Sequence, residues 1–256
     1  MKHGEFGEQH DSFEKGGFIS SSGLNGLRLL KLIKGDLFFL ARYGIFYVYA
    51  IFIAVYLIIL HYIQGDTGTF VMKLLVFSDP AAMGLFFMGA VVLLEKSQRV
   101  NCSIAVSPVT TSEYTASKAI SFLLAGLAVG LLIAFGSGRY ITPAGLFGVA
   151  GSSMLFSLGG LFVASKTRSL NQFIICTLPV EIFISVPGFL FAFDKLTSLW
   201  WIAHPGVAAM GLLFKEADLA HVLLCALSLV VWNALVFFAT RKAVDKMFKE
   251  LGGGSL

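Results

Sequence analysis

Long runs without a charged side chain alternate along this chain with short clusters of Lys, Arg, Asp and Glu. The uncharged runs cover residues 43 to 65, 80 to 94, 119 to 138, 140 to 165, 169 to 193 with Glu181 as the interruption, and 219 to 240. A helix rises about 1.5 Å per residue, so about 20 apolar residues cross the roughly 30 Å hydrocarbon layer of a bilayer. The pattern predicts an all-α polytopic membrane protein with six transmembrane helices. The second run is short, but Ser78-Asp79-Pro80 reads as a helix cap followed by proline in the first turn. At its far end Glu95 and Lys96 can extend their polar heads toward the interface. A seventh apolar run, 196 to 214, carries Trp200, Trp201, His204, Pro205 and Gly206. Its aromatics, its His-Pro-Gly break and its shortness predict a re-entrant or interfacial hairpin, because broken backbone at membrane depth must be shielded by protein.

Composition agrees with the pattern and removes other classes. Of 256 residues 57% are hydrophobic and 13% charged, the latter about half the usual ~25% share of a soluble domain. Mean hydropathy is +0.82. Too few charges exist for a water-facing surface, and a disordered or nucleic-acid-coating chain is excluded. Three cysteines, Cys102, Cys176 and Cys225, are too few and too scattered for a disulfide framework or a CxxC metal site. Residues 1 to 23 are polar, with no apolar core that would make a signal peptide. They and residues 249 to 256 read as flexible tails around one transmembrane domain, 24 to 248.

Charge placement predicts orientation. Six spans put both ends of the chain on one side, and 15 of the 19 Lys and Arg residues fall there, leaving Lys73, Arg139, Lys195 and Lys215 opposite. The positive-inside rule then places both termini in the cytosol.

Two short segments are amphipathic. In residues 24 to 42, a helical projection puts Leu29, Leu30, Ile33, Leu37, Leu40 and Ala41 on one face, beside a basic stripe of Arg28, Lys31, Lys34 and Arg42. Such a helix lies in the membrane interface, as an anchor or as a lever packed beside the first span. In the loop 96 to 118, Val100, Ile104 and Val106 with Arg99 and Asn101 predict a short amphipathic helix. It must end near Ser107, because Pro108 disfavours helical geometry in the residue before it. Thr110 and Glu113 stand at capping-box spacing and restart the chain as the third span. The segment suits a docking element for a soluble partner or an ordinary structured loop.

Several of these residues also carry a resemblance. Phe77-Ser78-Asp79-Pro80-Ala81-Ala82, Gly84-Leu85-Phe86-Phe87, Leu93-Leu94-Glu95-Lys96-Ser97-Gln98, Val106-Ser107-Pro108, Glu113-Tyr114 and Ser117-Lys118 resemble the membrane subunits of type-two ATP-binding-cassette exporters. They look particularly like bacterial permeases assigned to fluoroquinolone export. The likeness extends from about Leu29 to Lys246 and includes His204-Pro205. It implies an in-plane connecting helix, a coupling helix between spans two and three that seats on an ATPase subunit, and a re-entrant hairpin between spans five and six. It implies a permease in a bacterial inner membrane, a homodimer with an identical second subunit or a pseudo-dimer with a different one, surrounded by lipid and exporting a drug-like or amphipathic cargo. The docking residues would be Glu95, Lys96, Gln98, Arg99, Ile104, Pro108 and Glu113, with Glu181, Pro187 and Phe189 along the pathway.

Candidate chemistry within the chain is sparse. None of the 27 glycines begins a GxxxxGK[ST] phosphate loop, so no cofactor is expected here, and ATP with Mg would belong to the partner subunit. Gly151-Ser152-Ser153-Met154 matches a GxSx serine-protease pattern, with His221 as a conceivable base. A nucleophile needs a base in contact, however, and small residues in such a span normally serve helix packing. The same packing role suits Gly126, Gly130 and Ala134. His61, His204 and His221 show no metal-ligand spacing. Glu181 lies near the middle of its span, where a carboxylate must be protonated, paired or facing water. It would face a pathway, or hydrogen-bond a carbonyl freed by Pro179 or Pro187. A secondary transporter or channel not coupled to ATP is the alternative function, since broken helices occur there too.

Overall fold

The computed structural model describes residues 26 to 105, 107 to 214 and 218 to 251, without the side chains of 79 to 82, 105 and 251. Nearly all of this is helical: α1 (Gly26–Arg42), α2 (Ile45–Tyr62), α3 (Gly65–Ser97), α4 (Val100–Ala105), α5 (Thr111–Gly136), α6 (Pro143–Lys166), α7 (Leu170–Ala192), α8 (Pro205–Phe214) and α9 (Leu219–Leu251), with a 3-10 turn at Leu199–Ala203 before α8. Among the described residues there is no strand. Six helices, α2, α3, α5, α6, α7 and α9, are long and apolar enough to cross a membrane. The protein has the build of a multi-pass membrane protein. The predicted tails, 1 to 23 and 252 to 256, lie outside the described residues, whereas residues 249 to 251 continue α9 instead of beginning a tail.

Burial separates an inner from an outer layer. The most apolar window of α6 is 67% buried, against 17% in α2, 28% in α7 and 11% in α9. Helix α6 takes the centre because its residues are small, so α3, α5, α8 and α9 all approach it closely. Gly160 faces the backbone carbonyl of Leu85 on α3, where a β-carbon would collide. Asn233 and Thr240 of α9 donate to the Gly151 and Leu158 carbonyls of α6 at 3.0 and 3.1 Å. The Gly126, Gly130 and Ala134 ridge is buried, and Gly130 stands against Val149 and Val76 within the chain.

The second span departs from the sequence expectation. It does not begin at Asp79-Pro80: α3 runs unbroken for 33 residues from Gly65, with Ser78 inside it. A membrane helix tolerates an internal proline, because neighbouring groups re-satisfy the one lost bond and leaving the helix would expose many more. Lys73, which makes the stretch before Ser78 look like an extramembrane segment, lies 5.4 Å from the ring centre of Phe214.

The seventh apolar run is a short broken segment. Residues 205 to 213 of α8 are all buried between α6, α7 and α9, and its 10 residues extend only about 15 Å. Gly206 packs directly on the Ile184 carbonyl of α7, and Gly188 on Gly206, so the two backbones touch without side chains between them.

Candidate functional site

Charged side chains converge where α1, α3, α4, α5 and α9 meet. Lys118, buried about two turns into α5, pairs with Asp36 of α1 at 2.7 Å and with Glu95 of α3. Ser117 donates to the second oxygen of Asp36 at 2.9 Å, and the Tyr114 hydroxyl donates to Glu95 at 2.8 Å and more loosely to Asn101 of α4 at 3.4 Å. The ring of Phe248 from α9 covers Tyr114 edge-on at 5.2 Å. Glu95, Asn101, Glu113, Tyr114, Ser117 and Lys118 are all buried. A buried charge is costly unless paired and hydrogen-bonded, and here Asp36 and Glu95 each find both the ammonium and a hydroxyl, while Glu113 bonds Thr110.

Asp36 also sets the rotation of α1. Because it must face Lys118, the inward face runs through Ile33, Asp36, Leu37 and Leu40, while Leu30 and Ala41, expected on the same apolar face as these leucines, are exposed. The outward face then carries Leu27, Leu30 and Phe38 with Lys31 and Lys34.

The ends of the helices around this cluster are tied by backbone-directed bonds. Lys96 does not extend toward solvent. Its ammonium donates to the carbonyls of Ala164, Ser165 and Thr167 at 2.6, 3.1 and 3.0 Å, closing the end of α6. Glu95 likewise turns inward. Thr110 and Glu113 form the expected capping box: the Glu113 amide donates to the Thr110 hydroxyl at 3.2 Å and the Thr110 amide to the Glu113 carboxylate at 2.9 Å. Helix α4 is six residues long, with Ile104 half-buried against the core and Val106 outside the described residues. Arg99, at φ 57, makes the left-handed corner between α3 and α4. Arg28 of α1 donates to the Pro108 carbonyl at 2.8 Å, and Tyr43 and Gln98 exchange hydrogen bonds at 3.1 and 2.8 Å.

The expected docking residues therefore divide. Gln98, Arg99 and Pro108 are exposed, whereas Glu95 and Glu113 are buried and Lys96 is spent on α6. The first group alone is open to a partner; Lys96 closes the end of α6, Glu113 caps α5 and Glu95 belongs to the ionic cluster. Sequence reasoning missed Asp36, Asn101, Tyr114 and Lys118 as one cluster. One signal was available: Asp36 is the sole acid in α1, set among Ile33, Leu37 and Leu40 on its apolar side.

The expected pathway residues share α7 but not a site. Glu181 accepts from Ser185 at 2.8 Å, so its partner is a hydroxyl one turn along and not a carbonyl freed by proline; its other oxygen is buried without a hydrogen bond among the described residues. Phe189 packs edge-on against Phe77 of α3 at 5.7 Å. Pro187 removes the helix donor to the Phe183 carbonyl, and the Phe183 ring lies 4.8 Å from the His204 ring.

Around His204 the chain break is closed by side chains. The Trp232 indole donates to the Ala203 carbonyl at 2.7 Å, and the Gly206 amide donates to His204 Nδ1 at 3.3 Å. In the GxSx match the serine is Ser153, whose hydroxyl is buried without a hydrogen-bond partner among the described residues, while Ser152 beside it donates to the Gly148 and Val149 carbonyls of its own helix at 2.8 and 3.1 Å. Among the described residues no three His, Cys, Asp or Glu side chains could hold a metal ion.

Fold and site thus define a class, a multi-pass helical membrane protein with a buried ionic cluster at one end and a broken, buried helix toward the other. Comparison with family models, curated proteins and solved structures gives no match.

Proposed function

We propose that the chain is the permease subunit of an ATP-driven exporter, working as a dimer powered by separate ATPase subunits. The observation that carries this reading is the fixing of α4. A six-residue helix is too short to stand alone, yet Asn101 joins it to the ionic cluster, and Arg99, Gln98 and Pro108 are left outward. A surface element packed on α3 and α9 and bonded to Tyr114 of α5 suits the transmission of a push from a soluble partner to the spans. The chain has no phosphate loop of its own, so the nucleotide belongs to that partner.

In this reading the ionic cluster faces the cytosol, where most Lys and Arg residues of the chain fall. Helix α1 lies along the interface, its exposed Leu27, Leu30 and Phe38 in lipid. The broken segment is a re-entrant hairpin. The Ala203 carbonyl is held by Trp232, 13 residues into α9 and so about 20 Å from its outer end. The closure of that break by Trp232 and His204 is what a break inside lipid requires. The cargo is drug-like or amphipathic and the membrane a bacterial inner one. The alternative, a secondary transporter or channel, draws on the same broken hairpin and on Glu181.

Purification from native membranes decides between them. The exporter reading expects an ATPase subunit to co-purify, with no specific nucleotide binding by the chain alone. Specific ATP binding by the isolated chain, or transport driven by an ion gradient with no ATPase present, contradicts it.

A further inference from the structure

On the outer side of the re-entrant segment, an open cleft of about 520 Å³ runs between the 3-10 turn and α9. Its walls are Leu199, Trp200, Ile202, Ala203, Leu224, Leu227, Ser228, Val231 and Trp232, without one charged group. The volume falls in the ~300–1,000 Å³ range of small-molecule sites. The Trp232 bond to Ala203 fixes the back wall, so the cleft is preformed. We propose that it holds one acyl chain of a membrane phospholipid as a resident ligand.

Three observations select this occupant. The cleft is continuous with Leu223, Leu227, Val230 and Val231, the exposed face of a spanning helix whose apolar window is only 11% buried; in a bilayer such a face meets lipid tails. Trp200 at the mouth is 89% exposed, and indoles favour the zone where chains meet headgroups. The lining can accept a chain but offers no countercharge to a phosphate, so the headgroup stays outside. Besides the indole N–H groups, the Ser228 hydroxyl is the one polar side-chain group among the lining residues; it is buried and without a hydrogen-bond partner among the described residues. The inference rests on the membrane reading but not on the ATPase partner.

The cleft contains or adjoins all three tryptophans of the chain, so intrinsic fluorescence reports on it directly. The full chain is purified in mild detergent after incubation with a dibrominated phosphatidylcholine, exchanged into lipid-free detergent, and followed by tryptophan quenching and native mass spectrometry. The wild type should retain one phospholipid per chain and stay quenched, while Leu227→Phe with Val231→Phe, which fills the cleft, should lose both. Trp200→Phe with Trp201→Phe keeps the cleft's inner wall and should leave Trp232 quenched in the wild-type manner. Quenching that vanishes at once on exchange in the wild type, or equal lipid retention by the filled variant, overturns the proposal. So does disulfide cross-linking of two Leu227→Cys copies in native membranes, which would put a second subunit on this face. Release of the chain by carbonate washing would instead overturn the membrane reading itself.

Discussion

The cluster around Lys118 and the break around His204 solve one problem, buried polar groups, by different means. At Lys118, three charges and a ring of hydroxyls satisfy one another across α1, α3 and α5. At His204, no charges take part: one indole, one imidazole and glycine-to-backbone contact close the gap. Paired charges are strong but unforgiving, since removing one partner strands the others. Backbone contact is cheaper to hold but tolerates no added atom. The first arrangement links separate helices and can pass a displacement among them; the second fixes a single bend.

The contrast predicts its own failures. The largest effect is expected from Lys118→Met, which leaves Asp36 and Glu95 buried without a countercharge. Breaking such a set costs about 3–5 kcal/mol, so thermal unfolding in detergent should move far downward. Adding Asp36→Asn and Glu95→Gln should recover much of the loss. If the single and triple variants melt alike, the cluster is not held by charge.

The sequence made these two regions unequally legible. The His204-Pro205-Gly206 break was readable because proline and glycine act locally and the run was too short to span. Its shielding was not readable, because the Ile184 and Gly188 backbone of α7 reaches it only through tertiary packing. The six spans followed from hydropathy alone. The start of α3 was lost because Ser78-Asp79-Pro80 has the local chemistry of a cap, and only burial of the preceding turns overrides it. In the cluster, the capping box of Thr110 and Glu113 was visible from spacing, whereas Glu95, expected to reach toward the interface, turns inward to Lys118. The pairing of Lys118 with Asp36, 82 residues apart, was hidden because a lysine near a span end reads as an orientation marker.

Smaller effects should follow at the hairpin. Gly206→Leu must push α8 off the Ile184 carbonyl, with a cost of about 1–3 kcal/mol for overpacking, visible as a lowered unfolding temperature and new protease cleavage near residue 204. Trp232→Phe keeps the ring but leaves the Ala203 carbonyl unpaired, which costs about 1–3 kcal/mol if the site stays dry. A change in unfolding temperature equal to that of Trp200→Phe, an exposed indole, would mean that the bond does not matter. The smallest change belongs to Arg28→Gln at the edge of the cluster, where losing one bond to the Pro108 carbonyl should cost about 0.5–1.5 kcal/mol, with hydrogen exchange rising in α4 but not in α8.

The central claim is that α4 passes force between an ATPase and the spans. Arg99 tests it because the side chain is exposed and makes no side-chain bond to another of the described residues that a substitution would break. Its left-handed φ favours glycine, so Arg99→Gly removes the charge while easing the corner. The direct measurement is substrate-stimulated ATPase activity of the assembled complex in nanodiscs, comparing wild type, Arg99→Gly and Arg99→Glu. The account predicts that stimulation falls in Arg99→Gly and is abolished in Arg99→Glu, with membrane insertion and unfolding temperature unchanged; full stimulation in Arg99→Glu would contradict it.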